Sequence, residues 1–193
     1  MSAQTSSRRE TLTSLAIEMM QERGFSALGL RDLAEAAQMR PPSLYNYFAS
    51  KDDMGRAALA LYAERHRAGL EALDALPSGA ARIRTYSDKC GECLRVEGRF
   101  CLFLMLTTCN HELSDAAVRE IAGFVTEQTD WLARAWDAGR ADGSIRSDQA
   151  GMVMGPILFG ALRGMMAFSV LQTDPGGAYD GQEQALLAAL GVG

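Results

Sequence analysis

Residues 31–51 read RDLAEAAQMRPPSLYNYFASK, and this stretch decides the fold of the N-terminal part of the chain. Between Arg31 and Ala37 the apolar residues recur at one-turn spacings, which predicts a short helix. Residues 38–40 are few enough to form a tight turn. Pro41 and Pro42 follow, and proline suits the first turn of a helix because it lacks a backbone N–H and has a φ of about −65°. The sequence therefore predicts a helix-turn-helix, whose second helix can enter the major groove of DNA.

The second of these helices supplies side chains that suit DNA. The helical spacing of its apolar residues predicts that Leu44 and Phe48 are buried and that the polar residues between them lie at the surface. Arginine can pair with guanine and asparagine with adenine, and the predicted base-reading residues are Arg40, Ser43 and Asn46. Hydroxyl and ammonium groups suit phosphate, and the predicted phosphate contacts are Ser26, Tyr45, Tyr47 and Lys51. One of the tyrosines could instead be a core residue with only its hydroxyl at the surface.

Residues 8–56 resemble the DNA-binding domain of the TetR family of bacterial transcriptional repressors. The resemblance rests on ERGF (22–25), LRDLAEAA (30–37) and SLYNYFASKDDM (43–54). The Leu-Tyr-x-x-Phe-x-x-Lys core from Leu44 to Lys51 is more specific than a helix-turn-helix pattern alone. This chain departs from the family pattern at Gln38, where glycine is frequent. The resemblance implies a homodimer that binds a palindromic double-stranded operator, with the predicted DNA-binding residues at positions that contact DNA.

The rest of the chain also reads as helical, so the predicted fold class is all-α. We assign residues 1–55 to a DNA-binding domain and residues 56–193 to an effector-binding and dimerisation domain. Glycine-containing breaks are expected near residues 77–79, 97–98 and 142–143. A loop is predicted at residues 174–177, followed by a last helix over residues 182–190. No stretch shows the alternation expected of a strand.

The net charge of −5, taken over the whole chain, opposes DNA binding. The chain has 19 basic and 24 acidic residues, and residues 1–56 contain seven of each. The remaining residues therefore contain 12 basic and 17 acidic side chains, which account for the whole net charge. An acidic distal part would repel DNA and favour one docking orientation, so this distribution is compatible with DNA binding.

Residues 151–171, GMVMGPILFGALRGMMAFSVL, are apolar almost all round the predicted helix. The length approaches that of a membrane span. However, Arg163 in the interior would cost about 2.5–3.5 kcal/mol in a bilayer, and Pro156 and four glycines interrupt the stretch. A helix without a polar face is otherwise buried on all sides. We therefore expect one face to meet its own subunit and the other a second copy, in a cytoplasmic homodimer without a membrane anchor.

Four cysteines lie between residues 90 and 109. No export signal opens the chain, so reduced thiols are expected. Cys90 and Cys93 form a C-x-x-C pair, but the two later thiols are eight residues apart, unlike the second tight pair of a zinc site. A metal sensor would use Cys90, Cys93 and Cys101. Ordinary packing as buried thiols is the commonest role of such residues.

Modification of Cys101 is an alternative way in which the repressor could be released from DNA. It begins a short apolar helix beside Arg99, and both a helix start and a neighbouring cation favour the reactive thiolate. The resemblance places this region in the effector pocket, where some relatives use a cysteine to sense electrophiles or oxidants. A redox- or electrophile-sensing repressor triggered through Cys101 is therefore an open alternative.

The effector pocket is expected to be apolar and adaptable, because the chain has ten methionines and methionine reshapes readily around varied ligands. The predicted pocket residues are Cys101, Met105, Cys109, Trp131, Met165 and Phe168. Each could equally be an ordinary core residue. The expected effector is a small apolar or electrophilic compound. No nucleophile–base–acid set is visible, and neither histidine, His66 or His111, lies in a catalytic motif, so we expect no enzyme activity, cofactor or bound metal.

Overall fold

The computed structural model describes residues 3–97 and 101–193, with side chains described for residues 7–95, 101–109 and 111–193. Within these ranges the chain forms helices and no strand, apart from an isolated bridge between Ile145 and Val192. The α-helices are α1 (Ala3–Arg23), α2 (Leu30–Ala36), α3 (Pro41–Leu44), α4 (Lys51–Asp74), α5 (Gly79–Glu92), α6 (Leu102–Thr108), α7 (Asp115–Asp142), α8 (Gly151–Ser169) and α9 (Pro175–Ala189). A π-helical segment, Cys93–Glu97, follows α5, and a 3-10 turn, Asn110–Glu112, follows α6. The all-α prediction is confirmed.

The helices divide into two compact units. The first comprises Met1–His66 and Leu102–Gly123, and the second comprises Arg67–Cys101 and Phe124–Gly193. The first unit therefore contains the predicted helix-turn-helix together with α6 and the beginning of α7. Two helices, α4 and α7, contribute residues to both units.

The core of the first unit forms around the short helices α2 and α3. Leu33, Leu44 and Phe48 are completely buried, as are Ala16 and Met20 of α1. Glycine ends α1 as the sequence suggests, because Gly24 adopts a φ of +85° and its N–H closes the helix on Met20 at 2.8 Å. This packing fixes the side of α3 that faces inward and thereby the side that faces solvent.

In the second unit α5, α8 and α9 pack against one another. Trp136 and Tyr179 are its largest fully buried side chains. The predicted loop at residues 174–177 is wrong, because α9 begins at Pro175. Asp174 caps this helix by accepting a hydrogen bond from the Gly177 N–H at 3.0 Å, and proline at the first position is favourable for a helix start.

The apolar helix α8 is long and hydrophobic enough to cross a membrane, a property that core helices of soluble proteins share. Arg163, near its middle, is only 6% exposed. Its guanidinium donates hydrogen bonds within the second unit, to Cys90 Sγ at 2.9 Å and to the Tyr86 hydroxyl at 3.2 Å. These contacts are those of a helix packed inside a protein.

Candidate DNA interface and ligand site

The turn between α2 and α3 depends on one left-handed residue. Gln38 has a φ of +54°, a backbone region that favours glycine. Its N–H donates to Glu35 O at 3.0 Å, and the Met39 N–H donates to Ala34 O at 2.8 Å. Arg40 then takes an extended conformation and precedes the two prolines that open α3. The position at which this chain departs from the family pattern is thus the position at which the backbone reverses.

The residues of α3 and the turn after it separate into a buried and an exposed set. Tyr45 is 56% exposed and Asn46 is also exposed, as is Arg40 before the helix. Ser43 and Tyr47 are half-buried. The backbone carbonyl of Tyr47 accepts a hydrogen bond from Arg9 Nε at 3.1 Å, which ties this end of the motif to α1. Of the base-reading candidates, Arg40 and Asn46 are therefore exposed to solvent and Ser43 is partly accessible.

A concavity of about 530 Å³ adjoins this surface. Tyr45 and Lys51 line it together with Arg31, Ser50 and other residues of the first unit. Asp32 also lines it, but its carboxylate accepts a hydrogen bond from the Gly29 N–H at 2.7 Å. Two cations and a phenol hydroxyl around one groove make a suitable setting for a phosphate of the DNA backbone.

Lys51 and Ser26, both predicted phosphate contacts, also bind partners inside the first unit. Lys51 Nζ donates to Ser26 O at 3.0 Å and lies 3.7 Å from a Glu112 carboxylate oxygen. The Ser26 hydroxyl donates to Glu112 at 2.5 Å and lies 3.3 Å from Cys109 Sγ. The hydrogen bond from Ser26, aided by the charge of Lys51, lowers the pKa of Glu112 from its ordinary value. Contact with phosphate would require both groups to exchange or share these partners.

Two further contacts fix the start of α4. Asp52 accepts hydrogen bonds from the N–H and the hydroxyl of Ser114, at 3.1 and 3.0 Å. Arg56 pairs with Glu120 at 2.6 Å. Sequence reasoning missed these contacts, because residues more than sixty positions apart leave no periodic signal. Together with Glu112 they attach the first turns of α4 to the segment between α6 and α7 and to the beginning of α7.

The predicted effector-pocket residues are divided between the units. Met105 and Cys109 belong to the first unit, whereas the other four belong to the second. Of those four, Cys101 and Trp131 are buried, Met165 is half-buried and Phe168 is 68% exposed. The Trp131 ring stacks on Tyr86 with centroids 5.5 Å apart, and its N–H donates to Asp74 at 3.0 Å.

A buried polar cluster in the second unit was also missed by sequence reasoning. Arg163 donates to Tyr86 and Cys90, and the Tyr86 hydroxyl donates to Gln128 Oε1 at 3.1 Å. Burial raises the pKa of both the Tyr86 phenol and the Cys90 thiol, while the nearby guanidinium acts in the opposite direction. Both groups therefore remain protonated. A single arginine in an otherwise apolar helix was the signal that could have revealed this cluster.

The four cysteines are thiols that form no disulfide. Among the described residues, no group of three or more histidine, cysteine, aspartate or glutamate side chains could hold a metal ion. Cys101 is only 1% exposed, so a reagent would reach it only if the unit opened. Arg99, on which the argument for its reactivity depended, lies outside the described residues.

Comparison with known proteins gives matches at two levels. Residues 12–58 match the sequence model of the family described as bacterial regulatory proteins, tetR family. A 51-residue stretch is 47% identical to the HTH-type transcriptional repressor KstR2 of Mycobacterium tuberculosis, and it covers 26% of this chain and 26% of that protein. The sequence match to this curated relative thus spans about a quarter of its length.

The structural similarity extends over almost the whole chain. A TetR-family transcriptional regulator from Agrobacterium tumefaciens superposes with a TM-score of 0.90 at 18% identity, over 97% of this chain and 99% of the other. The ketosteroid transcriptional regulator KstR2 of M. tuberculosis superposes with a TM-score of 0.70 at 24% identity, over 95% and 93% of the two chains. At these identities the structures establish the fold, and the sequence match identifies the helix-turn-helix. Residues 12–58 thus carry the helix-turn-helix sequence of the TetR family of bacterial regulatory proteins, and the chain as a whole has the fold of solved TetR-family regulators.

Proposed function

We propose that this protein is a transcriptional repressor that binds a palindromic double-stranded operator as a homodimer and is released by a small-molecule effector. The observation that carries the proposal is the surface formed by Arg40, Tyr45 and Asn46. These side chains are exposed on a rigid helix-turn-helix whose sequence matches that of a curated repressor. On this proposal the protein acts in the cytoplasm and catalyses no reaction.

In the proposed complex α3 lies in the major groove. Asn46 and Arg40 are available to base edges, where a well-made bidentate contact discriminates by about 1–3 kcal/mol. The groove lined by Arg31, Tyr45 and Lys51 takes a backbone phosphate, which contributes affinity but no sequence preference. The acidic remainder of the chain is repelled by DNA, so only one orientation is favourable.

Homodimer formation is supported by the outer face of α8. An apolar stripe with helical spacing runs along it, and its members are Val153, Ile157, Gly160, Gly164, Phe168 and Leu171. Four of these are large side chains between 47% and 78% exposed. At Gly160 and Gly164 a Cβ atom would meet nothing within 4 Å, so another helix could approach the backbone closely there. In a family whose members bind paired half-sites, a second copy of α8 is the natural partner for this stripe.

The effector is proposed to bind in the second unit, among aromatic and sulfur-containing side chains such as Trp131 and Cys101. The curated relative is called a ketosteroid regulator, which makes apolar polycyclic compounds reasonable first candidates. Because α4 begins in the first unit and ends in the second, it is the segment through which a bound ligand could influence the DNA-binding helices. A coupling free energy of about 1–3 kcal/mol between effector binding and DNA binding would lower the affinity for the operator by a factor of roughly 5–150.

Selection of bound sequences from random double-stranded DNA tests the proposal. We expect a palindromic consensus for the wild-type protein. Asn46→Ala should lose preference at one base position of each half-site, whereas Tyr45→Ala should weaken binding to all sequences to a similar extent. Arg134→Ala, which removes an exposed arginine in the second unit, is the matched control and should change neither property. Failure to enrich any sequence, or an unchanged consensus and affinity for Asn46→Ala, would contradict the proposed role of this surface.

A further inference from the structure

A directed chain of hydrogen bonds crosses the interior of the second unit. Arg163 donates to the Tyr86 hydroxyl at 3.2 Å, and that hydroxyl is 3.1 Å from Gln128 Oε1. The three side chains are 6%, 4% and 0% exposed, respectively. A guanidinium group can only donate, so the phenol oxygen accepts from Arg163 and its single proton is directed to Gln128.

This direction determines how the Gln128 amide is oriented. Its Oε1 accepts from Tyr86, so Nε2 presents its two N–H donors from the other end of the planar amide group. Nε2 is buried and has no hydrogen-bond partner among the described residues. A buried donor without a partner disfavours folding, and such groups need an explanation when their orientation is held in place.

Apolar and aromatic side chains lie along this hydrogen-bond chain. Trp131 and Leu132 follow Gln128 by three and four residues on α7, and both are buried. The Trp131 ring stacks on Tyr86, and the Phe159 ring lies 4.9 Å from the Arg163 guanidinium. A polar donor fixed within an apolar wall is the usual form of a recognition group in a small-molecule site.

We infer that Gln128 is the polar recognition group of the effector site and that the effector has a neutral carbonyl oxygen on an otherwise apolar skeleton. The inference rests on the proposed function and deepens it by naming the ligand class. A ketone, ester or amide carbonyl is a neutral acceptor that can take a hydrogen bond from Nε2, and burying it does not add the large desolvation cost of a second charge. Tyr86 acts as a positioning residue, because it holds the amide in the donating orientation.

Matched probe pairs test this inference. We would titrate 2-tetralone against tetralin, and cyclododecanone against cyclododecane, and follow the fluorescence of the tryptophans, of which Trp131 stacks on Tyr86. At least one ketone should bind the wild-type protein saturably and at least tenfold more tightly than its parent hydrocarbon. Absence of saturable binding by both ketones, or equal binding of ketone and hydrocarbon, overturns the inference.

Substitutions at Gln128 and Tyr86, with a control at Ser169, assign the preference to individual atoms. Gln128→Glu keeps an acceptor for Tyr86 but removes the donor, so the preference for ketone should disappear; Gln128→Met gives the same test if the carboxylate prevents folding. Tyr86→Phe should reduce the preference, because the amide is then free to rotate. Ser169→Ala, which alters another fully buried polar group of this unit, is the control and should retain the full preference. A tenfold preference that survives in a folded Gln128 variant overturns the inference.

A parallel gel-shift assay separates this inference from the proposed function. Binding of the ligand-free wild-type protein to its selected operator tests the repressor function alone. If the protein binds ketone preferentially but selects no operator sequence, the inferred ligand site is supported and the repressor proposal is contradicted. Operator binding without any preference for ketone over hydrocarbon would support the repressor function and contradict the inferred carbonyl site.

Discussion

Replacing Gly79 by alanine should force α5 away from α7 in the second unit. A Cβ atom at this position would lie 2.1 Å from the Gly139 nitrogen and 2.3 Å from the Ala135 oxygen. Ordinary van der Waals contact begins at 3.4 Å, so the two backbones would have to part by the difference of about 1.3 Å. Both obstructing atoms belong to the backbone and cannot turn aside as a flexible side chain could.

The expected cost follows from this geometry. Overpacking a well-packed interior costs about 1–3 kcal/mol, and a clash with backbone atoms belongs at the upper end of that range. For a chain of this size each kcal/mol lowers the melting temperature by roughly 2–4 °C. We therefore expect a decrease of about 5–12 °C. Since Tyr86 is two turns further along α5, its hydrogen bond to Gln128 should also lengthen and the near-ultraviolet circular dichroism should change.

Thermal unfolding followed by circular dichroism, with Gly123→Ala as the control, provides the measurement. A Cβ at Gly123 on α7 would meet nothing within 4 Å. Alanine in a helix interior is favoured over glycine by about 0.5–1 kcal/mol, so this control should melt at a slightly higher temperature. A Gly79→Ala protein that melts at or above the wild-type temperature would refute the reasoning, because the close approach of α5 and α7 would then be unnecessary.

Three further predictions concern assembly, thiol reactivity and acid stability. Gly160→Leu should convert the dimer to monomer or aggregate in sedimentation, whereas an intact dimer would place the interface elsewhere. A maleimide should label the half-buried thiols before the buried ones, as read by mass spectrometry; the first pair is Cys93 and Cys109, and the second is Cys90 and Cys101. Hydrogen bonds from Ser144 and Gly79 lower the pKa of Asp142, so its contribution to stability is present above the unfolded pKa and lost as the pH falls through the folded pKa. The stability difference between Asp142→Asn and wild type in urea should therefore shrink in acid, and a constant difference would contradict this assignment.

The helix-turn-helix could be predicted because its determinants are local. Pro41 and Pro42 specify a helix start, and Gly24 permits the backbone reversal that ends α1. The left-handed conformation of Gln38 is not signalled by glutamine itself; the only sequence signal is that the resembling family often has glycine at this position. The start of α9 was missed for a related reason, since Gly176 and Gly177 suggested a loop while Asp174 and Pro175 supplied a helix cap.

The polar contacts of both candidate sites could not be predicted in the same way. Glu112 binds Ser26 across 86 positions of sequence, and Arg163 binds Cys90 across 73. A sequence pattern can indicate that a buried arginine needs polar neighbours, but many polar side chains could supply them. Only the packing of α5 against α8 selects Tyr86 and Cys90. The same packing leaves Gln128 Oε1 bonded to Tyr86 and Nε2 buried without a partner among the described residues, which no periodicity in α7 would reveal.

The glycines of α8 explain why this helix is apolar on every face. At Gly151 and Gly155 a Cβ would lie 2.1 and 2.4 Å from backbone oxygens of α7, so these residues allow the helix to pack tightly within its own subunit. At Gly160 and Gly164 a Cβ would meet nothing within 4 Å, although they lie in the exposed apolar stripe. One helix thus has two surfaces suited to close backbone approach, of which the first is occupied by α7. If a second copy covers the second surface, as proposed, a polar side chain would be unfavourable on either surface of α8. The apolar composition of the helix would then reflect burial on both sides, and it would not require a membrane.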